Sequence, residues 1–337
     1  MSRPDFDSIK HLNPYHVEYW EARELQPLLG YQSSWQNFEK VIKKAMVSCE
    51  ATGNIIDDHF NDAIKPIVGG KGANQAIAAA RAGARTAIIA AVGDDVYADA
   101  IRATLREAGV DMTALRTVPG PSGTALIVVD DDGQNSIVVI PGANAALTTL
   151  TEADTAVTSE ADAVLFQLEV PIEIVVAAAT RAHGLRVLNA APARPLPHEL
   201  LDAIDLLVVN ETEATAIVPT SRPGAGLRAA LLHLVPRVAI TIGADGVLYA
   251  DRDGEYLEVA APKVTAVDTT AAGDTFTGVL ATALAERRPT PEALELACAA
   301  ASLCVESAGA STSIPMRSAI DARWAATYAP SAAPRAR

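Results

Sequence analysis

Short, continuous apolar runs recur along most of this chain. Residues 163–167, 186–189, 206–209 and 238–242 are of this kind, each separated from the next by helical or loop material. Runs that are apolar throughout, rather than at every second position, suit strands of a parallel sheet covered on both faces. Ahead of them, residues 71–82 read as a helix of small residues. Residues 84–92 read as an apolar strand ending at Gly93-Asp94-Asp95, and residues 99–108 as a helix closed by Gly109. Residues 123–129 and 134–140 flank the turn Asp130-Asp131-Asp132-Gly133 and predict a hairpin. After the fourth apolar run, Gly243-Ala244-Asp245-Gly246 turns into residues 247–249 and then 256–259, an antiparallel edge. Residues 275–286 and 291–306 are the last large helices. The pattern as a whole is α/β.

Residues 1–65 have a different texture. Residues 18–29 and 34–49 show helical spacing, with Trp35, Phe38, Val41, Ile42 and Ala45 on one stripe, and no alternating strand run of any length appears. The expected organisation is therefore a small helical unit over 1–65 and an α/β domain over 66–328. The tail 329–337, rich in Pro, Ala and Arg, reads as disordered.

Composition narrows the function classes. The chain has 337 residues, half of them hydrophobic, enough for one large core with a small appendage. A net charge of −14 argues against general affinity for nucleic acid or an anionic membrane. The three cysteines, Cys49, Cys298 and Cys304, form no C-x-x-C pair and no zinc spacing, and read as reduced residues of a cytosolic protein. No apolar run approaches a bilayer span, and the first residues lack a signal-peptide core, so neither export nor anchoring is expected. The six histidines are scattered, with no H-E-x-x-H and no H-x₃-H, and each reads as a surface or satisfied polar residue rather than a ligand.

Two stretches could carry chemistry. In Val267-Asp268-Thr269-Thr270-Ala271-Ala272-Gly273-Asp274-Thr275-Phe276-Thr277-Gly278, a loop opens a helix. Its small residues leave the first-turn amides bare and suited to an anion, with Asp274 at the edge of a phosphate-sized hollow. A carboxylate there can take a proton from a hydroxyl while the amides hold the charge of a transferring phosphoryl group. An equally good reading is that Asp268 and Thr269 cap the helix and Asp274 favours its dipole. The second stretch, Gly69-Gly70-Lys71-Gly72-Ala73-Asn74-Gln75-Ala76, is a glycine turn before a helix. Asn210 follows an apolar run and precedes Glu213 by three, which is a capping box spacing. No G-x-x-x-x-G-K-[ST] word occurs, which excludes a P-loop mechanism.

Taken together, the two stretches resemble, in order and separation, the signature regions of the ribokinase-like (PfkB) family of sugar kinases. Gly142-Ala143-Asn144-Ala145, Gln167-Leu168-Glu169, Asn189-Ala190-Ala191-Pro192-Ala193-Arg194 and Asn210-Glu211-Thr212-Glu213 fall where that family has similar words. The resemblance implies a sandwich with a mostly parallel central sheet under helices on both faces. It also implies a kinase that passes the γ-phosphoryl of ATP to the 5-hydroxyl of ribose. On this reading Asp274 is the base, and the amides of Ala272, Gly273 and Asp274 form the anion hole. Gly70, Lys71, Gly72, Ala73, Asn74 and Glu169 meet the sugar. The nucleotide falls to Asn210, Glu213, Thr241, Ile242, Gly243, Ala244, Asp245, Gly246, Gly273, Asp274 and Cys298. Mg²⁺ accompanies ATP, and a K⁺ site is implied at Asp268, Thr270, Cys304, Ser307, Gly309 and Ser313.

The beginning of the chain departs from that family. Tyr19-Trp20, Ala22-Arg23, Leu28-Leu29-Gly30-Tyr31, Trp35, Phe38 and Asp58-His59-Phe60 resemble the N-terminal part of the DNA-damage-inducible protein D group, related to the phage BRO-type N-terminal domain. That resemblance implies work near DNA, but residues 1–65 hold 7 Lys and Arg against 10 Asp and Glu, a net of −3, without a basic footprint. Where the sugar kinases have a first strand carrying Asn-x-Asp and then lid strands, only Asn54-Ile55-Ile56-Asp57 is available. The expectation is a kinase fold lacking its first strand and lid, with weakened ribose affinity and an open sheet slot that favours a homodimer. The alternative is a non-catalytic fusion in which the N-terminal unit binds DNA or protein and the kinase fold is a sensor or relic.

Overall fold

The computed structural model describes residues 11–12, 18–19, 68–129, 135–218 and 225–328. The chain divides into two compact units, Met1–Pro66 and Ile67–Arg337. In the first, β1 (His11–Leu12) pairs antiparallel with β2 (Glu18–Tyr19). The helix expected from residue 18 is therefore strand over its first two residues. The rest of that helix, the one expected over 34–49, the Asn54-Ile55-Ile56-Asp57 segment, the DNA-related resemblance and the tail 329–337 lie outside the described residues.

The second unit opens with α1 (Lys71–Arg81), β3 (Ala90–Val92), α2 (Val96–Glu107), β4 (Leu115–Thr117), β5 (Thr124–Val129) and β6 (Asn135–Ile140). There follow α3 (Glu152–Glu160), β7 (Ala163–Phe166), α4 (Ile172–Ala179), β8 (Leu185–Asn189), α5 (His198–Ala203), β9 (Leu206–Asn210), α6 (Glu211–Ile217) and α7 (Ala225–Leu234). The unit closes with β10 (Arg237–Thr241), β11 (Val247–Asp251), β12 (Tyr256–Val259), α8 (Ala272–Ala285), α9 (Thr290–Cys304) and α10 (Arg317–Thr327).

The four continuous apolar runs become β7, β8, β9 and β10, adjacent and parallel. β11 and β12 complete the sheet antiparallel, in the order β12-β11-β10-β9-β8-β7. The reason for the continuous apolarity is visible in the packing. Leu188, Leu207, Val209, Val238 and Ile240 join the core under α4, α5 and α7. Val187, Leu206, Val208 and Ala239 join the opposite core under α8, α9 and α10. These strands thus bury apolar side chains on both faces of the sheet. A third core holds α1 and α2 against β3 and β4.

The run over 84–92 is strand only at Ala90–Val92, preceded by a lone bridge from Ala87 to Asp111. The expected hairpin forms, β5 against β6, as a sheet of its own. Among the described residues, β7 is the last strand on its side of the large sheet, and β3 with β4 forms a separate parallel pair. No described helix is long and apolar enough to cross a membrane.

Candidate active site

Three neighbouring parallel strands end in polar residues on one side of the sheet: β8 in Asn189, β9 in Asn210 and β10 in Thr241. The carboxyl ends of parallel strands are where open α/β sheets bind ligands. A cleft of about 210 Å³ lies there, lined by Lys71, Asn189, Asn210, Glu213, Thr241 and Asp274, with Thr269, Ala271 and Gly273 closing one wall. It is smaller than the ~300–1,000 Å³ of a drug-sized pocket. It can hold reacting groups, while most of a nucleotide would have to lie along the open surface beside it.

α8 presents its start to this cleft. Ala271, its N-cap, has φ 62° in the left-handed region, and no side chain caps the helix. The Ala272 amide donates to Thr269 O at 3.3 Å. Those of Gly273 and Asp274 have no acceptor among the described residues. Two of the three amides expected in the anion hole are therefore available, and a Cβ built at Gly273 meets nothing within 4 Å. Bare amides in a helix's first turn are the donors an anion takes.

Asp274 sits deeper than the rim position its sequence context suggests. It is 6% exposed, yet it still lines the cleft with Lys71. Asn74 Nδ2 donates to its Oδ2 and Gln75 Nε2 to its Oδ1, each at 3.0 Å. Burial pushes its carboxyl above the usual range, against the pull of the Lys71 charge and the two amide donors. A base with a raised affinity for protons is better matched to work near neutrality.

The remaining expected residues divide. Gly70, with φ 91°, precedes α1, and the Lys71 amide donates to Glu169 Oε2 at 2.8 Å, so Glu169 closes the start of α1 from beyond β7. Burial raises its carboxyl, with the Lys71 amide and charge opposing and the charge of Asp274 adding. Gly72 faces Gln167, whose Nε2 would lie 3.2 Å from a Cβ there. Asn74 Oδ1 is buried without a partner and could accept a ligand hydroxyl.

Asn210 and Glu213 form a reciprocal capping box at α6, each bond 2.8 Å. Burial raises the Glu213 carboxyl, opposed by the Asn210 amide and the Lys71 charge. Thr241 lines the cleft, and Ile242, Gly243, Ala244, Asp245 and Gly246 form the turn directly after it. Gly246 must be glycine there, since its φ is 108° and a Cβ would stand 2.0 Å from Val259 O.

Cys298 is not brought to the cleft. It lies 3% exposed in the core beneath α8 and α9, its thiol pushed up by burial to about 12.

The six residues expected around K⁺ come together. Asp268 accepts from the amides of Thr270 (2.8 Å) and Gly309 (2.9 Å). Cys304 Sγ meets Thr270 O and Ser313 Oγ, Ser313 Oγ donates to Gly309 O, and the Ser307 amide donates to Cys304 O. Although burial works the other way, the Thr270 and Gly309 bonds hold Asp268 below the usual carboxylate range, so it is ionised. A carboxylate, carbonyls and a hydroxyl are the oxygen donors a hard monovalent cation takes. Among the described residues, no group of three or more His, Cys, Asp or Glu could hold a metal ion.

Gln75 and Asn189 lie within stretches that resemble the family, yet neither is among the expected site residues. The helical spacing of Lys71, Asn74 and Gln75, at i, i+3 and i+4, was the available clue.

Relatives accord with this geometry. The ribokinase of Haemophilus influenzae is 40% identical over 259 residues, 74% of this chain and 84% of that protein. The ribokinase of Bacillus subtilis is 41% identical over 260 residues, 76% and 87% respectively. Among solved structures, Arabidopsis thaliana ribokinase complexed with ribose and ATP superposes with a TM-score of 0.73 at 33% identity, covering 76% of this chain and 87% of that one. Ribokinase from Thermotoga maritima gives 0.70 at 34%, covering 79% and 93%. The pattern that defines the pfkB family carbohydrate kinases matches residues 57–317. The chain belongs to that family, and is a phosphotransferase with an alcohol group as acceptor.

Proposed function

We propose that this protein transfers the γ-phosphoryl group of ATP to the 5-hydroxyl of D-ribose, giving D-ribose 5-phosphate and ADP. The observation that carries the reading is one cleft shared by the Asp274 carboxylate, the bare amides of α8 and the strand-end residues Asn210 and Thr241. The relatives named ribokinase, and the Arabidopsis protein's ribose and ATP, support the choice of sugar and nucleotide.

In this mechanism Asp274 accepts the proton of the attacking hydroxyl as its oxygen bonds to the γ-phosphorus. The bond from that phosphorus to the β,γ-bridging oxygen breaks and ADP leaves. The amides of Gly273 and Asp274 face the charge on the transferring group, and Lys71 adds the positive charge nearest the base. Asn74 Oδ1 and Glu169 orient the sugar. Glu213, in the cleft lining, would meet nucleotide-bound Mg²⁺, which would neutralise the phosphates. Asp268, Thr270, Cys304, Ser307, Gly309 and Ser313 would hold K⁺ at the loop that sets the start of α8. A substrate pair of ATP and free sugar suits a cytoplasmic enzyme.

ADP release measured against ribose, deoxyribose, fructose and adenosine, with the product identified by ³¹P NMR, tests the assignment. Saturable ribose-dependent release yielding the 5-phosphate is expected. Turnover that ignores ribose, or prefers another acceptor, overturns it.

A further inference from the structure

Asp274 is held from two sides by neutral amides. Gln75, 3% exposed on α1, donates through one Nε2 both to Asp274 Oδ1 and to Asn189 Oδ1, each at 3.0 Å. Asn189, 7% exposed at the end of β8, donates its own Nδ2 to Val208 O of β9 at 3.3 Å. An amide nitrogen has two protons, so both of Gln75's are committed. One end of this chain of bonds is the central sheet and the other is the reacting carboxylate. With Asn74 on Oδ2, both oxygens of Asp274 face N–H donors. Protonating either would set O–H against N–H, so the array favours the carboxylate in a place where burial opposes it.

The backbone is arranged to permit this reach. Gly278 lies one turn beyond Asp274 on α8, where a Cβ would stand 2.7 Å from Ala78 Cβ and 2.7 Å from Gln75 O. Only a residue without a side chain lets α1 and α8 approach closely enough for Asn74 and Gln75 to meet the base.

We propose that Gln75, anchored by Asn189, is a positioning residue for Asp274: it fixes the carboxylate's orientation toward the cleft and keeps it ionised. This rests on Asp274 being the base. The other charged groups that act on Asp274 are Lys71 of α1, Glu169 beyond β7 and Glu213 of α6. None of them is changed by substituting Gln75 or Asn189.

Gln75→Leu, Gln75→Glu and Asn189→Leu in the full chain test the proposal. Gln75→Leu should lower kcat about ten- to a hundredfold, the worth of a hydrogen bond to a charged group, without raising either KM. The acid limb of its pH–kcat profile should move to higher pH, because the lost donor had favoured the carboxylate. Gln75→Glu should move the limb further, by adding a like charge, and Asn189→Leu less, by freeing Gln75 without removing it. A purely structural role predicts instead lower thermal stability with an unmoved limb, and that result, or a loss confined to KM, overturns the proposal. If Gln75→Leu does not fold, Asn189→Leu decides by the same criteria. ¹³C titration of the Asp274 carboxyl, assigned by its disappearance in Asp274→Asn, gives the same answer without turnover: it should titrate at higher pH in Gln75→Leu. Parent protein without ribose-dependent turnover would defeat the kinase reading. Active parent protein with an unshifted Asp274 titration in Gln75→Leu would defeat this inference alone.

Discussion

At the start of α6, Asn210 and Glu213 satisfy one another's amides in a capping box. At the start of α8, Ala271 turns left-handed and leaves the Gly273 and Asp274 amides without acceptors among the described residues. Both helices begin at the same cleft. The first spends its N-terminal donors on its own stability, and the second withholds them for an anion. Substitutions at α6 should therefore register mainly in stability, and substitutions at α8 mainly in rate.

The sharpest test of that difference is Gly273→Pro, which removes an amide in the first turn, where proline is tolerated. It should cost about 10²–10³-fold in kcat, as loss of one oxyanion donor does, with thermal stability nearly unchanged. Comparable loss of stability would mean the amide is structural. Next comes Gly278→Ala, which inserts a methyl group into the α1–α8 contact. Overpacking should destabilise by about 1–3 kcal/mol in denaturant unfolding. It should also slow turnover, since α1 carries Asn74 and Gln75; a stable, fully active variant would show that the helices have room to part.

Asn210→Ala breaks the capping box and should cost about 1 kcal/mol of stability. A raised KM for ATP with little change in kcat would confirm that α6 binds rather than reacts, and a large kcat loss would erase the contrast. The smallest effect is expected for Ala271→Gly. Relief of about 1–2 kcal/mol of left-handed strain is largely offset by about 0.4–1 kcal/mol of extra unfolded-chain entropy. Calorimetry should find a net change below about 1 kcal/mol.

Much of the fold could be read from the chain because burial on both faces leaves a direct trace: the four continuous apolar runs are the four parallel strands. Where apolarity has another cause, the reading overreached. Residues 84–89, which include Arg85 and Thr86, are not ladder strand and join the chain at 111 only by a single bridge. α10 went unread because it buries only Ile320 fully among small and charged residues. In the site, charged and glycine-rich words drew attention to Asp274, Lys71 and the Asn210–Glu213 pair, and all of these line one cleft. Gln75 and Asn189 lie inside words that resemble the family, but their bonds to Asp274 and to each other come from the crossing of α1, α8 and β8, which no local pattern shows. Cys298 shows the converse: position in the family pattern suggested a nucleotide contact, while its small apolar side chain packs into the core.

The account turns on Asp274 receiving the hydroxyl proton, and ribose-dependent ADP release by Asp274→Asn tests this most directly, with ribose and ATP binding followed by calorimetry on the same preparation. A loss of about 10²–10⁴-fold in kcat with both ligands still bound is predicted. Turnover within a few-fold of the parent protein would contradict it.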